Sequence, residues 1–205
     1  STISAREEGS PVNLGLRGPG GSTSSAAITV DQIPLIGQIV KANGTVVTVG
    51  SALTPSELAG LVYAPPADYN GTASVGDFAY TVVSSGLTST GGTTINLTPI
   101  NDAPVGVPSS VSGAEDNSLP ISLTGEDRDG SVVSLTVTGL PTGAALFLAD
   151  GITPVLLGQT LTPAQAATLL FVPAADFNGT TAITFTVTDN EGAVSSPAQV
   201  SITLT

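Results

Sequence analysis

The chain has no cysteine, no histidine, no tryptophan and no methionine. Without cysteine there is neither a disulfide scaffold nor a thiolate metal site. Without histidine there is no Ser-His-Asp triad, no Cys-His dyad and none of the usual zinc or iron ligation. Metal chemistry is left to oxygen donors, which select calcium or magnesium. Basic residues are scarce too: four Lys plus Arg stand against sixteen Asp plus Glu, a net charge of −12. Such a chain repels DNA, RNA and anionic lipid, so nucleic acid is not an expected partner. No apolar run approaches the roughly 20 residues that cross a bilayer, and direct membrane insertion is not expected. Ser1 opens on polar sequence without a basic n-region, so targeting information is expected elsewhere in a longer protein.

With only five Phe and three Tyr, the core must come mainly from Val, Ile, Leu and Ala. Thr, Ser, Val and Gly dominate and few segments carry a helical period, which is the profile of an all-β protein with many turns. One segment occurs twice. Leu53-Thr-Pro-Ser-Glu-Leu-Ala-Gly-Leu-Val-Tyr-Ala-Pro65, with Ala67-Asp68-Tyr-Asn-Gly-Thr72 after it, recurs as Leu161-Thr-Pro-Ala-Gln-Ala-Ala-Thr-Leu-Leu-Phe-Val-Pro173 with Ala175-Asp176-Phe-Asn-Gly-Thr180. The offset is 108 throughout, from Pro65 to Pro173 and from Asp68 to Asp176. A period near one hundred residues is too long for a solenoid unit and suits a small sandwich domain. Residues 1–100 and 105–205 are expected to be two such domains. Residues 101–104 form the linker, which Pro99 and Pro104 make short and stiff.

Period-two alternation predicts strands at Ala27–Val30, Thr45–Val49, Phe78–Val83 and Thr93–Leu97, and at Ser118–Thr124, Val132–Thr138, Thr181–Thr188 and Val200–Leu204. Asp150-Gly151, Asn178-Gly179 and Glu191-Gly192 punctuate the second set as turns. One short helix is expected per unit. Thr54 caps the first, with Pro55 at its first position and Glu57 completing a capping box; Thr162, Pro163 and Gln165 do the same in the second.

The acids of the second unit gather at strand ends: Glu115 and Asp116, then Glu126-Asp127-Arg128-Asp129-Gly130, Asp176 and Asp189-Asn-Glu-Gly192. Together with the Asn101-Asp102-Ala103-Pro104 linker and the Ala-Asp-Tyr/Phe-Asn-Gly-Thr motif, this ordered set resembles the cadherin-like repeats of bacterial cell-surface proteins, especially the calcium-dependent repeats of giant RTX-type adhesins. The resemblance covers essentially all of the second unit, and in the first the part from Leu53 onward and, weakly, Arg6-Glu-Glu-Gly9. It implies two cadherin- or immunoglobulin-like Greek-key β-sandwiches arranged end to end, with Ca2+ at their junction. Carried over position by position, the implied ligands are Glu7 or Glu8, Asp68, Asn101, Asp102, Asp127, Asp129 and Asp189. Glu115, Asp116 and Asp176 would form a weaker half-site at the far end, facing a following repeat.

The chemistry points the same way. Glu8, Asp68, Asp102, Asp127, Asp129 and Asp189 would bring six carboxylates into one small volume, where like charges a few Å apart cost several kcal/mol. Calcium removes that cost with six to eight oxygen ligands, and about two ions suit this many donors. As solvated turn caps, the same acids would need no ion. The pattern also departs from the family's. Asn70 and Asn178 stand where the late motif carries Glu, and the first unit has Arg17-Gly-Pro-Gly-Gly-Ser22 in place of the Asp-x-Asp turn, so its free end is expected to bind nothing.

Other motifs are weaker. Arg17 to Ser22 lacks the Gly-Lys-Ser/Thr ending of a phosphate loop. Asn43, Asn70, Asn96 and Asn178 fit the glycan acceptor pattern, but three of them are Asn-Gly turns. Tyr63, Tyr69 and Tyr80 could stack sugars, yet Tyr63 and Tyr69 match Phe171 and Phe177 in the other repeat, which points to shared packing. A glycosidase needs two carboxylates across a cleft, and enzyme activity is not expected. The expected role is a calcium-rigidified spacer of a long extracellular adhesin, exported by type I secretion to the cell surface, with roles in adhesion and biofilm. It should be a monomer whose partners are neighbouring repeats. The alternatives are a glycan- or peptide-binding module of such an adhesin, or an accessory domain of a secreted polysaccharide-degrading enzyme.

Overall fold

Alternating burial builds the strands, and tight glycine turns set where they stop. The computed structural model describes residues 1–17, 26–69 and 74–205. The chain divides into two units, Ser1–Ile100 and Asn101–Thr205. Gly18 to Ser22 and Asn70, singled out above, lie outside the described residues.

In unit 1 the described residues form β1 (Thr2–Arg6), β2 (Val12–Asn13), β3 (Ala27–Gln32), β4 (Gln38–Val40), β5 (Ala52–Leu53), α1 (Pro55–Ala59), β6 (Val62–Ala64), β7 (Ser74–Ser84) and β8 (Leu87–Thr98). A five-stranded sheet, β1-β8-β7-β3-β5, faces a three-stranded one, β2-β6-β4. Ile28, Val30, Ile39, Tyr63, Phe78 and Ile95 from both sheets share one core, which makes the unit a β-sandwich. Tyr63 and Tyr80 are core residues and Tyr69 packs against the core cluster, so packing accounts for all three tyrosines.

Unit 2 contains β9 (Val105–Val107), β10 (Ser109–Gly113), β11 (Leu119–Ile121), β12 (Thr124–Glu126), β13 (Val132–Gly139), β14 (Ala144–Phe147), β15 (Thr160–Leu161), α2 (Pro163–Ala166), β16 (Leu169–Pro173), β17 (Gly179–Asp189) and β18 (Ala198–Leu204). Its sheets repeat the plan: β10-β18-β17-β13-β15 and β11-β16-β14, with β9 and β12 paired separately. Leu135, Val137, Leu146, Phe171, Ile183, Phe185 and Val200 fill the core. In both units the sheet is closed by a parallel pair. β1 runs with β8 from Thr2↔Thr94 to Arg6↔Thr98, and β10 with β18 from Ser109↔Val200 to Gly113↔Leu204.

Two strand expectations are corrected. Thr45–Val49 is not a strand: only Val46 makes a bridge, to Val40. The alternation is short and incomplete, with Val47 1% exposed but Val46 47% and Val49 58%. Turns at Gly44 (φ +83) and Gly50 (φ +84) leave no room for a longer ladder. Ser118–Thr124 is two strands, β11 and β12, in different sheets. The chain crosses between them at Leu123, whose N–H donates to Ala166 O of α2 at 2.9 Å.

Both helices start as the sequence dictates. Thr54 and Thr162 each accept the N–H of the third helical residue, and Glu57 and Gln165 each accept the N–H of the cap. Thr54→Ala and Thr162→Ala are each expected to cost about 1 kcal/mol, read as a lowered denaturant midpoint at unchanged slope. The Glu57 carboxylate is held down to about 2, first by the Thr54 N–H and then by the Lys41 ammonium, 2.9 Å away. A lowered carboxylate pKa stabilises the fold above its ordinary 4.5, and that contribution is lost as pH falls through about 2. Glu57→Gln, which keeps the box geometry seen at Gln165, is expected to flatten this acid limb in a pH series of unfolding midpoints. Among the described residues no helix is long and apolar enough to cross a membrane.

Candidate metal centre

Two turns of unit 2 and the chain entering it meet at one of its poles. The turn Asp127-Arg128-Asp129-Gly130 joins β12 to β13. The hairpin after β17 begins at Asp189, which pairs with Val132 at the start of β13. The chain enters the unit at Asn101 and Asp102. Hydrogen bonds join the three: Asn101 Nδ2 donates to Asp189 Oδ2 at 2.8 Å, and the Asp102 N–H donates to Asp129 Oδ2 at 3.1 Å.

The carboxylates here are not solvated caps. Asp189 is 1% exposed and Asp129 5%. Asp189 Oδ1 accepts the N–H groups of Glu191 and Ala193 at 2.9 and 2.8 Å, which shapes the hairpin. The Asn101 amide and then these N–H groups lower the Asp189 pKa, so it stays ionised. Asp127 is pushed the other way, first by burial and then by the charges of Asp129 and Asp189. Both Asp127 carboxylate oxygens are buried and accept no hydrogen bond of good geometry. A buried carboxylate beside like charges is costly unless a cation joins it. Carboxylate and carboxamide oxygens are the donor set of a hard divalent ion, so the residues present fit such an ion.

In unit 1, Glu7 and Glu8 part company. Glu7 is 1% exposed. Its Oε1 accepts the Tyr69 N–H and its Oε2 the Ile100 N–H, the latter at 2.9 Å. It therefore ties together the end of β1, the Asp68–Tyr69 turn and the exit of β8. Glu8 follows in the left-handed region (φ 53), as does Asp68 (φ 57). Each offers a carboxylate oxygen within 4.8 Å of the other's. Of the two glutamates expected from sequence, Glu8 is the one free of this backbone clamp.

The far pole of unit 2 holds Glu115, Asp116 and Asp176, all exposed. Asp116 (φ 61) and Asp176 (φ 57) repeat the left-handed geometry of Glu8 and Asp68. Asp116 Oδ1 accepts the Asp176 N–H at 3.0 Å. Glu115, the counterpart of Glu7, is exposed where Glu7 is buried.

Two further residues shape the acid pole without contributing a carboxylate. Asn190 Oδ1 accepts the Ser131 N–H at 2.7 Å and lies 3.3 Å from Ser131 Oγ. Gly130 sits against it. The spacing of acids does not reveal them, although both stand inside the turn motifs, after Asp129 and after Asp189.

A model of the bacterial cadherin-like domain matches residues 101–205. No curated protein matches the chain. Among solved structures, Drosophila N-cadherin EC1-4 is 12% identical with a TM-score of 0.45, covering 99% of this chain and 48% of its own. Human protocadherin-24 EC1-2 is 13% identical with a TM-score of 0.45, covering 100% of this chain and 95% of its own. The fibronectin(III)-like modules of Clostridium thermocellum CbhA are 14% identical with a TM-score of 0.31, covering 100% and 90%. The chain thus spans about half the length of the Drosophila structure it matches.

Proposed function

Because the chain belongs to the bacterial cadherin-like domain family, we propose that it is a non-catalytic, calcium-rigidified spacer module of a long extracellular adhesin of the RTX type, exported by type I secretion. The observation that carries this reading is Asp127: two buried carboxylate oxygens that no hydrogen bond of good geometry satisfies, beside the charges of Asp129 and Asp189. Asp127, Asp129 and Asp189 are the proposed core of the ligand set, with Asn101 and Asp102 from the connecting segment. Glu8 and Asp68 are proposed to complete it from unit 1, with Glu7 holding their turn in place. Calcium would supply the positive charge that lets these carboxylates stay ionised and close together. Stiffening then follows from chemistry: residues 101 and 102 are covalently joined to unit 1 and would be held by the same ion as the unit 2 turns. The Glu115, Asp116 and Asp176 pole is proposed to bind weakly until a following repeat completes it.

Calorimetric titration tests the ligand set. Asp127→Ala and Asp129→Ala are each expected to weaken calcium binding by about tenfold or more, and unchanged affinity in both would remove the assignment. Small-angle scattering tests the role. The maximum dimension is expected to grow, and its spread to narrow, on going from chelator to calcium; superimposable curves would leave no spacer mechanism.

A further inference from the structure

Two acid-bearing turns of unit 2 are fastened to each other by a side chain that carries no charge. Asn190 lies in the hairpin immediately after Asp189, and its Oδ1 accepts the Ser131 N–H at 2.7 Å, with Ser131 Oγ 3.3 Å away. Ser131 follows the Asp127 turn and precedes β13. A single carboxamide oxygen therefore spans the gap between the loop of Asp127 and Asp129 and the loop of Asp189. Gly130 leaves the room for it. A Cβ built there would come within 2.5 Å of Asn190 Oδ1, closer still to Asp127 Oδ2, and 3.3 Å from Asp127 Cγ. Gly130 does not have a positive φ, so the backbone itself would accept alanine. What excludes a side chain is the pair of oxygens packed against the glycine.

We propose that Asn190, with the clearance left by Gly130, is the positioning residue that sets where the Asp127 carboxylate sits relative to Asp189. The proposal rests on the calcium reading above, and it predicts that affinity depends on a hydrogen-bond acceptor at position 190 rather than on a ligand there. Asn190→Ala removes the acceptor. Asn190→Asp keeps it, since a carboxylate accepts the Ser131 N–H as a carboxamide does. Gly130→Ala perturbs the same geometry from the other side.

Calcium titration of the full chain is expected to show Asn190→Ala and Gly130→Ala about tenfold or more weaker, with Asn190→Asp at least as tight as the unsubstituted chain. A side chain that merely stabilised the hairpin would lower the ion-free melting temperature without this pattern of rescue. Equal affinity for Asn190→Ala and the unsubstituted chain overturns the proposal, as does an Asn190→Asp variant no better than Asn190→Ala. If the unsubstituted chain takes up no calcium, the functional reading falls, and the positioning claim is then decided by ion-free crystal structures. Asp127 displaced in Asn190→Ala and restored in Asn190→Asp upholds it; Asp127 unmoved in both overturns it.

Discussion

Calcium at about one hundred times its dissociation constant is expected to raise the melting temperature of the chain by roughly 10 °C or more, and EDTA to reverse it. Ligand linkage at that ratio supplies about 2.7 kcal/mol, and each kcal/mol moves the midpoint of a domain near one hundred residues by about 4–8 °C. The sharper form of the experiment uses Asp127→Asn. In the ion-free chain this change removes a buried charge that repels Asp129 and Asp189, so the melting temperature should rise. With calcium the same change removes a ligand, so most of the gain should vanish. Opposite signs in the two conditions separate a built site from diffuse screening of a −12 chain, which sodium chloride at equal ionic strength would reproduce. Equal midpoints with calcium and chelator would defeat the reading.

Phe171→Ala is expected to destabilise unit 2 by about 3–5 kcal/mol, a large share of the roughly 5–15 kcal/mol that holds an ordinary domain folded. Phe171 is fully buried in β16, the central strand of the smaller sheet, opposite Leu119 and Leu146. No neighbouring strand is free to close over the void. Its counterpart Tyr63 occupies the same place in β6, opposite Val12 and Ile39. There the hydroxyl donates to Ile36 O at 3.0 Å, and burial pushes its pKa up to about 12. Tyr63→Phe keeps the ring and should cost only about 1 kcal/mol, the worth of one hydrogen bond. Amide exchange reads both variants strand by strand. Protection of β16 left intact in Phe171→Ala would mean that the core is looser than its burial implies.

What could be read from sequence follows how local each signal is. The two helices need only four residues each to announce themselves, since Thr-Pro-x-Glu/Gln fixes cap, first turn and box together. The long strands β7, β13 and β17 carry enough alternation to be seen. β14, with Ala144-Ala-Leu-Phe147, shows no alternation that would announce a strand, and β4 is only three residues long. Thr45–Val49 has the right composition, but the turns at Gly44 and Gly50 limit it to a single bridge. The acids were visible as turn residues. Which of Glu7 and Glu8 faces outward was not, because the choice depends on a left-handed residue and on backbone donors at Tyr69 and Ile100, far away along the chain. Asn190 was hidden for the same reason: its partner is Ser131, fifty-nine positions off.

The parallel pairs that close each five-stranded sheet carry one more implication. A pull on the two ends of unit 1 runs along the β1–β8 ladder, not across it, because the paired strands point the same way, and in unit 2 the β10–β18 ladder has the same sense behind the short β9–β12 pair. Five register pairs then bear the load in shear all at once, whereas a hairpin drawn open from its tip gives up its bonds singly. The topology thus makes each sandwich a tensile link, strongest in the direction in which a tethered chain would be stretched.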